Sequence, residues 1–144
     1  MNQQCAIVTG GSAGIGMSIC EHLLDAGYTV LNLSRRAADV GHERLIDCPV
    51  DLADVEATQS TIAELTSKYA VTTLVHNAGV IRPDLIENVD LDDLQYLSNL
   101  HLAATITMTQ GVLDAMKQAN VGRIVIIGSR AMLGLETRTA YAAT

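Results

Sequence analysis

A glycine-rich turn near the start of the chain is the first stretch whose residue types could do chemistry. It reads TGGSAGIG over residues 9–16, between an apolar strand candidate, CAIVT, and a helix predicted to begin near Ile15. Glycines let backbone N–H groups approach a pyrophosphate, and the helix N-terminus adds the positive end of its dipole. Gly10, Gly14 and Gly16 are spaced G-x-x-x-G-x-G, which differs from the usual G-x-G-x-x-G. The context favours a dinucleotide site over a plain tight turn.

The end of the second strand candidate, TVLNL (29–33), indicates which dinucleotide would bind. Folds that select NAD commonly place an acid here, roughly 20 residues after the glycines, for the ribose 2′-hydroxyl. This chain instead has Ser34, followed by Arg35 and Arg36. A carboxylate would repel a 2′-phosphate, whereas a hydroxyl and a guanidinium can hydrogen-bond it. NADP(H) is therefore favoured, with NAD(H) as an alternative, although a solvated pair of surface arginines would look the same.

Apolar runs of strand length alternate with amphipathic stretches along the chain. Further strands are predicted at 44–50, 71–76 and 123–129, and further helices after Asp51 or Asp54 and over 92–119. Such alternation indicates a parallel sheet covered on both faces. With right-handed crossovers this is an α/β, Rossmann-type, doubly wound fold, a three-layer α/β/α sandwich. Residues 1–144 are predicted to form one such domain, with an aliphatic core because there is no Phe or Trp.

The glycine turn, the segment NAG at 77–79, and Ser129 followed by Tyr141 occur in this order, and together they resemble the short-chain dehydrogenase/reductase family. The match runs along the whole chain. It implies that a nicotinamide dinucleotide is held by the glycine turn, by an acid after the third strand and its neighbour, and by the NAG segment. Together with Ser34 and Arg35, which follow the second strand, the expected cofactor contacts are Thr9, Gly10, Ser12, Gly14, Ile15, Gly16, Ser34, Arg35, Asp51, Leu52, Asn77, Ala78 and Gly79.

The resemblance also implies a catalytic set. Hydride transfer between nicotinamide and a carbonyl or alcohol needs a proton donor or acceptor at the substrate oxygen. A tyrosine, with a free pKa of about 10, can serve if a positive charge lies nearby. Tyr141 is the implied acid/base, Ser129 would hydrogen-bond the substrate oxygen, and Asn99 in LSNLHLAA would hold a water in a proton relay.

One departure from the family's pattern concerns the Tyr-x-x-x-Lys motif, whose lysine supplies that positive charge. Here the sequence reads YAAT and ends at Thr144, directly before the lysine position. We therefore expect a C-terminally incomplete domain that lacks its later strands and leaves the fifth strand as an exposed apolar edge. By itself such a chain should bind the adenine half of the cofactor weakly and should not turn over substrate.

Composition excludes several other functions. A net charge of -7 argues against nucleic-acid and anionic-membrane partners. No apolar run approaches the ~20 residues that span a bilayer, and MNQQ does not resemble a signal peptide. Three widely spaced cysteines fit reduced thiols in the cytoplasm. The spacing of histidines and cysteines forms no metal-ligand set, so no metal is expected.

The leading interpretation is a cytoplasmic, NADP(H)-preferring oxidoreductase that interconverts a small-molecule alcohol and a carbonyl. The alternatives are a catalytically inactive dinucleotide-binding fragment or sensor module, and an interaction fragment that binds no cofactor. Family members often form homodimers or homotetramers through two long helices, so the resemblance implies the same here, with the helix over 92–119 taking part.

Overall fold

A five-stranded parallel sheet forms the middle layer of the computed structural model, which describes residues 4–144. The strands are β1 (Cys5–Thr9), β2 (Thr29–Ser34), β3 (Leu45–Pro49), β4 (Val71–His76) and β5 (Arg123–Ile126). Their order is β3-β2-β1-β4-β5, and every pairing is parallel. The chain builds outward from β1 to β3 and then crosses to β4 on the other side of β1. This reversal confirms the predicted Rossmann-type fold and places a ligand crevice at the carboxyl ends of β1 and β4.

Helices cover both faces of the sheet. They are α1 (Gly14–Asp25), α2 (Val55–Lys68), α3 (Leu91–Ser98), α4 (Ala104–Ala119) and α5 (Thr139–Ala143), with short 3-10 turns at Ile86–Asn88 and Arg130–Leu133. Asp54 is the N-cap of α2, where its carboxylate accepts a hydrogen bond from the Ala57 N–H at 2.9 Å. In the part of the chain that the structure describes, no helix is long and apolar enough to cross a membrane.

Side chains on successive strand positions enter opposite layers of an aliphatic core. Val8 and Val30 pack with α1 through Cys20 and Leu24, whereas Ile7 packs toward α2 and α4. Because neighbouring residues of a strand point to opposite faces, both layers need apolar residues, and the strands read as continuous apolar runs. The resulting sheet is a rigid base for the loops at its carboxyl ends.

The predicted helical stretch over 92–119 is continuous from Leu91 to Ala119, but it contains one π turn that its apolar period did not predict. A π turn, Asn99–Ala103, separates α3 from α4. One turn of i→i+5 hydrogen bonds is wider than an α turn and changes which side chains face the sheet. Consequently Leu102 and Ile106 are 47% and 58% exposed, while Leu100 and Ala104 are buried. The uniform helical period assumed from the sequence cannot reveal this inserted turn.

Among the described residues, β5 lies at an open edge of the sheet and pairs with β4 on one side. It ends at Ile126, earlier than the predicted end at 129. Its apolar side chains are exposed, with Ile124 at 40%, Val125 at 44% and Ile126 at 59%. The expected exposed apolar edge is therefore present, and such an edge favours association with other chains.

Gly16 is the glycine whose replacement should disturb the fold most directly. A Cβ on Gly16 would lie 2.2 Å from the carbonyl oxygen of Gly10, a backbone atom that cannot move aside. We expect Gly16→Ala to lower the free energy of unfolding by on the order of 1–3 kcal/mol, the usual cost of overpacking. Gly41→Ala is the matched control, since a Cβ there meets nothing within 4 Å. Urea denaturation followed by circular dichroism measures both, and equal stability of the two variants would contradict the packing argument.

Candidate functional site

Two adjoining cavities open at the carboxyl edge of the sheet. The first has a volume of about 430 Å³ and the second about 680 Å³. They share Ile15 from the start of α1 and the three residues Asn77, Ala78 and Gly79 that follow β4. The NAG segment is therefore the wall between two compartments, and a ligand that fills both has to pass it.

The first cavity collects the loops that the sequence analysis associated with cofactor binding. Its walls are Gly10, Ser12, Ala13, Ile15, Leu33, Ser34, Arg35, Arg36, Val50, Asp51, Leu52, Asn77, Ala78, Gly79, Val80, Tyr96 and Leu100. Three of the expected contacts, Thr9, Gly14 and Gly16, are absent from this lining. The other ten predicted cofactor residues are brought together here, and their contacts with a cofactor stay a prediction.

Thr9 lies beneath the site and hydrogen-bonds the NAG segment that lines it. It is fully buried, and its Oγ1 accepts hydrogen bonds from the Asn77 N–H at 3.0 Å and the Ala78 N–H at 2.9 Å. The same hydroxyl lies 3.1 Å from His76 Nδ1. Since two N–H groups occupy the acceptor side of Oγ1, its hydrogen is donated to Nδ1, and the His76 proton is assigned to Nε2. Thr9 thus joins the end of β1 to the NAG segment.

The glycine turn and the NAG segment also meet through the backbone. Asn77 Nδ2 donates to the carbonyl oxygens of Thr9 at 3.1 Å and Gly10 at 3.3 Å. Gly10 has a φ of +67°, and a Cβ there would lie 2.9 Å from Ala78 Cα. Only glycine combines this left-handed conformation with such a close approach.

A buried polar network supports the other wall of the first cavity. Asn32, which is 1% exposed, accepts at Oδ1 from the Gly11 N–H at 2.9 Å and from the Ser34 hydroxyl at 2.7 Å. The single Ser34 hydroxyl hydrogen is used in this bond, so it could reach a 2′-phosphate only by leaving Asn32. Arg35 and Arg36 are exposed and line the same cavity. Sequence reasoning missed Asn32, although an Asn inside an apolar strand was a usable signal.

The second cavity contains two of the three predicted catalytic residues. Ser129 and Tyr141 both line it, and Ser129 Oγ accepts a hydrogen bond from the Ala131 N–H at 3.2 Å. Asn99 is not part of either cavity lining. Its Oδ1 accepts from Gln95 Nε2 at 2.8 Å on the surface of the helix. The structure therefore brings Ser129 and Tyr141 to one compartment without the Asn99 side chain, and the three catalytic roles stay predictions.

His101 is a residue of this compartment that sequence reasoning did not select. Its Nε2 accepts from the Val80 N–H at 3.3 Å, so Nδ1 carries the proton and donates to Thr144 Oγ1 at 2.9 Å. The ring meets Tyr141 edge-on, with centroids 5.6 Å apart. His101 lies in the π turn, and because that turn is invisible in the sequence, no spacing rule could have placed this imidazole beside Tyr141.

Burial keeps both histidines of the second cavity neutral. It lowers the pKa of His76 to about 4, and His101 lowers it further, against a smaller opposing effect of the Leu100 carbonyl. Burial also lowers the pKa of His101. His76 Nε2 is buried and has no hydrogen-bond partner among residues 4–144, since the Leu100 carbonyl does not reach hydrogen-bond geometry. Within the same residues, no cluster of His, Cys, Asp or Glu could hold a metal ion.

The low pKa of His76 predicts a loss of stability in mild acid. The folded-state pKa of about 4 lies below the value near 6.5 expected when the chain unfolds. Between these two pKa values the unfolded chain binds a proton on His76 and the folded chain does not, so protonation favours unfolding. The free energy of unfolding is unaffected by His76 above about pH 6.5 and falls by up to about 3 kcal/mol as the pH drops to about 4. Urea denaturation at several pH values should show this slope. His76→Asn should flatten the dependence of stability on pH, whereas His22→Asn, at an exposed position, should leave it unchanged. If His76→Asn keeps the wild-type slope, the acid sensitivity comes from other groups.

Comparison with known proteins shows which family the chain belongs to. The sequence model of the short chain dehydrogenase family matches residues 4–144. A Haemophilus influenzae protein named "Probable NADP-dependent dehydrogenase" is 32% identical over 137 residues, covering 90% of this chain and 54% of that protein. A 3-oxoacyl-[acyl-carrier-protein] reductase of Vibrio harveyi is 32% identical over 146 residues, covering 96% of this chain and 60% of the reductase.

A solved structure gives the same result. The 3-oxoacyl (acyl-carrier-protein) reductase of Agrobacterium tumefaciens C58 with NADP bound superposes with a TM-score of 0.86 at 28% identity, covering 99% of this chain and 59% of that one. The chain thus spans only about half to three-fifths of the length of these proteins. With the family match over residues 4–144, the chain belongs to the short-chain dehydrogenase family.

Proposed function

We propose that this chain is the cofactor-binding part of an NADP(H)-preferring oxidoreductase that interconverts an alcohol and a carbonyl by hydride transfer. The observation that carries the proposal is the pair of cavities joined at the NAG segment. One compartment holds Arg35 and Arg36, which suit a phosphate, and the other holds Ser129 and Tyr141, which suit a polar oxygen. A dinucleotide that crossed the NAG segment would bring its nicotinamide end into the compartment of the tyrosine.

The relatives support the choice of cofactor and reaction class. The Haemophilus influenzae relative is named as NADP-dependent, and the Agrobacterium tumefaciens reductase was solved with NADP bound. The Vibrio harveyi relative is named for reduction of a 3-oxoacyl group, a ketone. Because the chain spans only part of each, the activity of the whole protein is carried over as a proposal. The cytoplasmic location and the homodimer or homotetramer likewise stay predictions.

Three residues of the second cavity have separate roles in the proposed reaction. The cofactor would supply or take the hydride. Ser129 Oγ already accepts from the Ala131 N–H, so its own hydrogen is free to be donated to a substrate oxygen. Tyr141 would exchange a proton with that oxygen. His101 holds the last turn of the chain against the cavity and contacts the tyrosine ring, which restricts where Tyr141 can lie.

A dinucleotide-binding module without catalysis is the second candidate, and one observation favours it. The lining of the second cavity includes no lysine or arginine among residues 4–144, and its two histidines are neutral at pH 7. Within these residues the wall of this cavity therefore offers Tyr141 no cation on the side where a substrate would bind. On this ground we expect residues 1–144 by themselves to bind NADPH without turnover.

Intact mass and a tyrosine variant together separate the two candidates. If the purified protein has a mass near 15.3 kDa, we expect NADPH to bind and no ketone to be reduced. If the mass is substantially larger, NADPH oxidation with a panel of small ketones and 3-oxoacyl thioesters should be measurable. Tyr141→Phe should then lower kcat by about 100-fold or more, because a proton donor is lost, with NADPH affinity unchanged. Turnover that survives this substitution would remove Tyr141 from the mechanism.

Cofactor preference is tested on the two arginines. Arg35→Gln and Arg36→Gln should together raise the Kd for NADPH by about tenfold or more, because charge-assisted bonds to the 2′-phosphate are lost. The Kd for NADH should stay the same. Lys117→Gln is the matched control, since it removes one positive charge at an exposed position far along α4. Fluorescence titration gives all the values; equal losses for NADPH and NADH would contradict a role in reading the phosphate.

A further inference from the structure

Asp47 lies in β3, in register with Asn32 of β2. One carboxylate oxygen, Oδ1, accepts two hydrogen bonds: from Asn32 Nδ2 at 2.7 Å and from the Ala38 N–H at 3.0 Å. Asp47 itself is only half-buried and lines neither cavity at the carboxyl edge. Its side chain therefore hydrogen-bonds Asn32 and Ala38 and would not contact a ligand in either cavity.

Side-chain hydrogen bonds to Asn32 and Asp47 hold a short segment, residues 34–38, at both ends. At its start, Ser34 donates its hydroxyl to Asn32 Oδ1 at 2.7 Å. At its end, the Ala38 N–H is held by Asp47 at 3.0 Å. Arg35 and Arg36 lie between these points. The start is also fixed by the sheet, since the Ser34 carbonyl oxygen accepts from the Val50 N–H at 3.1 Å, so the end at Ala38 is the anchor that depends most directly on Asp47. The Asn32–Asp47 pair also reaches the glycine turn through the Gly11 N–H, which Asn32 Oδ1 accepts at 2.9 Å.

Little else restrains the arginines. Both are exposed, and neither forms an ion pair with another residue of the described chain. Long flexible side chains lose conformational freedom when they bind a ligand, and a fixed backbone reduces that loss. The position of residues 35–38 is therefore set by hydrogen bonds to the backbone and to Ser34 rather than by the arginine side chains.

We propose that Asp47 is a positioning residue for recognition of the 2′-phosphate: by holding Ala38 and Asn32, it keeps the arginine segment where the first cavity can present Arg35 and Arg36 to the phosphate. The inference rests on the proposed function and names a residue through which its cofactor preference is set. Asp47 makes this contribution although its own charge has the wrong sign for a phosphate. Its role as a hydrogen-bond acceptor outweighs its repulsion of the anion.

Two substitutions separate the acceptor from the charge. Asp47→Asn keeps an Oδ1 acceptor and removes the negative charge, whereas Asp47→Ala removes both. Asp47→Val is a second acceptor-free variant, chosen because a β-branched residue suits a strand, so the test does not depend on one variant folding. The probes are 2′,5′-ADP and 5′-AMP, which differ only in the 2′-phosphate. Isothermal titration calorimetry gives their Kd values.

The expected pattern is specific. Asp47→Ala and Asp47→Val should weaken 2′,5′-ADP by about tenfold and change 5′-AMP by less than about twofold, while Asp47→Asn should bind 2′,5′-ADP at least as tightly as the wild type. Equal weakening of both probes would mean general damage and would overturn the proposal. Tighter binding of 2′,5′-ADP by the alanine variant would overturn it too, because the carboxylate would then act only as a repelling charge.

Hydrogen exchange at the Ala38 amide adds a measurement that needs no variant. A bond to Asp47 should slow its exchange in the wild-type protein, and exchange at the rate of an unprotected amide would overturn the anchor. Failure of the proposed function looks different. In that case the wild type itself would show no preference for 2′,5′-ADP over 5′-AMP. If the wild type prefers 2′,5′-ADP and the Asp47 variants keep that ratio, the inference about Asp47 alone is wrong.

Discussion

The junction between the ends of β1 and β4 is the constraint on which the rest of the site depends. One hydroxyl, Thr9 Oγ1, bonds the Asn77 and Ala78 N–H groups and His76, and Gly10 lies so close to Ala78 that no side chain fits between them. These segments are far apart in sequence and adjacent in the sheet. Because Asn77, Ala78 and Gly79 wall both cavities, any shift at this junction would change both compartments together.

Two buried polar side chains in the otherwise aliphatic core, Asn32 and His76, lie beside the two cavities. A buried polar group costs free energy unless it is paired, so paired ones specify one arrangement. Asn32 joins the glycine turn, Ser34 and Asp47, and thereby couples three loops around the first cavity. His76 is the counterpart under the second cavity, where one ring nitrogen is paired and the other is not.

The two compartments differ in which strands supply their walls. The first is lined by residues at or after the carboxyl ends of β1, β2, β3 and β4. The second takes part of its wall from β5, whose Ile126 is exposed at the open edge, and from the short helix that carries Tyr141. Proteins similar to this one are considerably longer.

Patterns that depend on neighbouring residues were predictable from the sequence by itself. Alternating apolar runs determined the doubly wound fold, and the glycines, Arg35 and the NAG segment identified the first cavity. Only the tertiary structure decided contacts between residues distant in sequence. His101 in the π turn lies beside Tyr141, Asn99 accepts from Gln95 outside both cavities, and strand pairing sets Asn32 opposite Asp47. The reason is physical: local periodicity and turn chemistry act within a few residues, whereas sheet register and helix irregularities follow from packing of the whole domain.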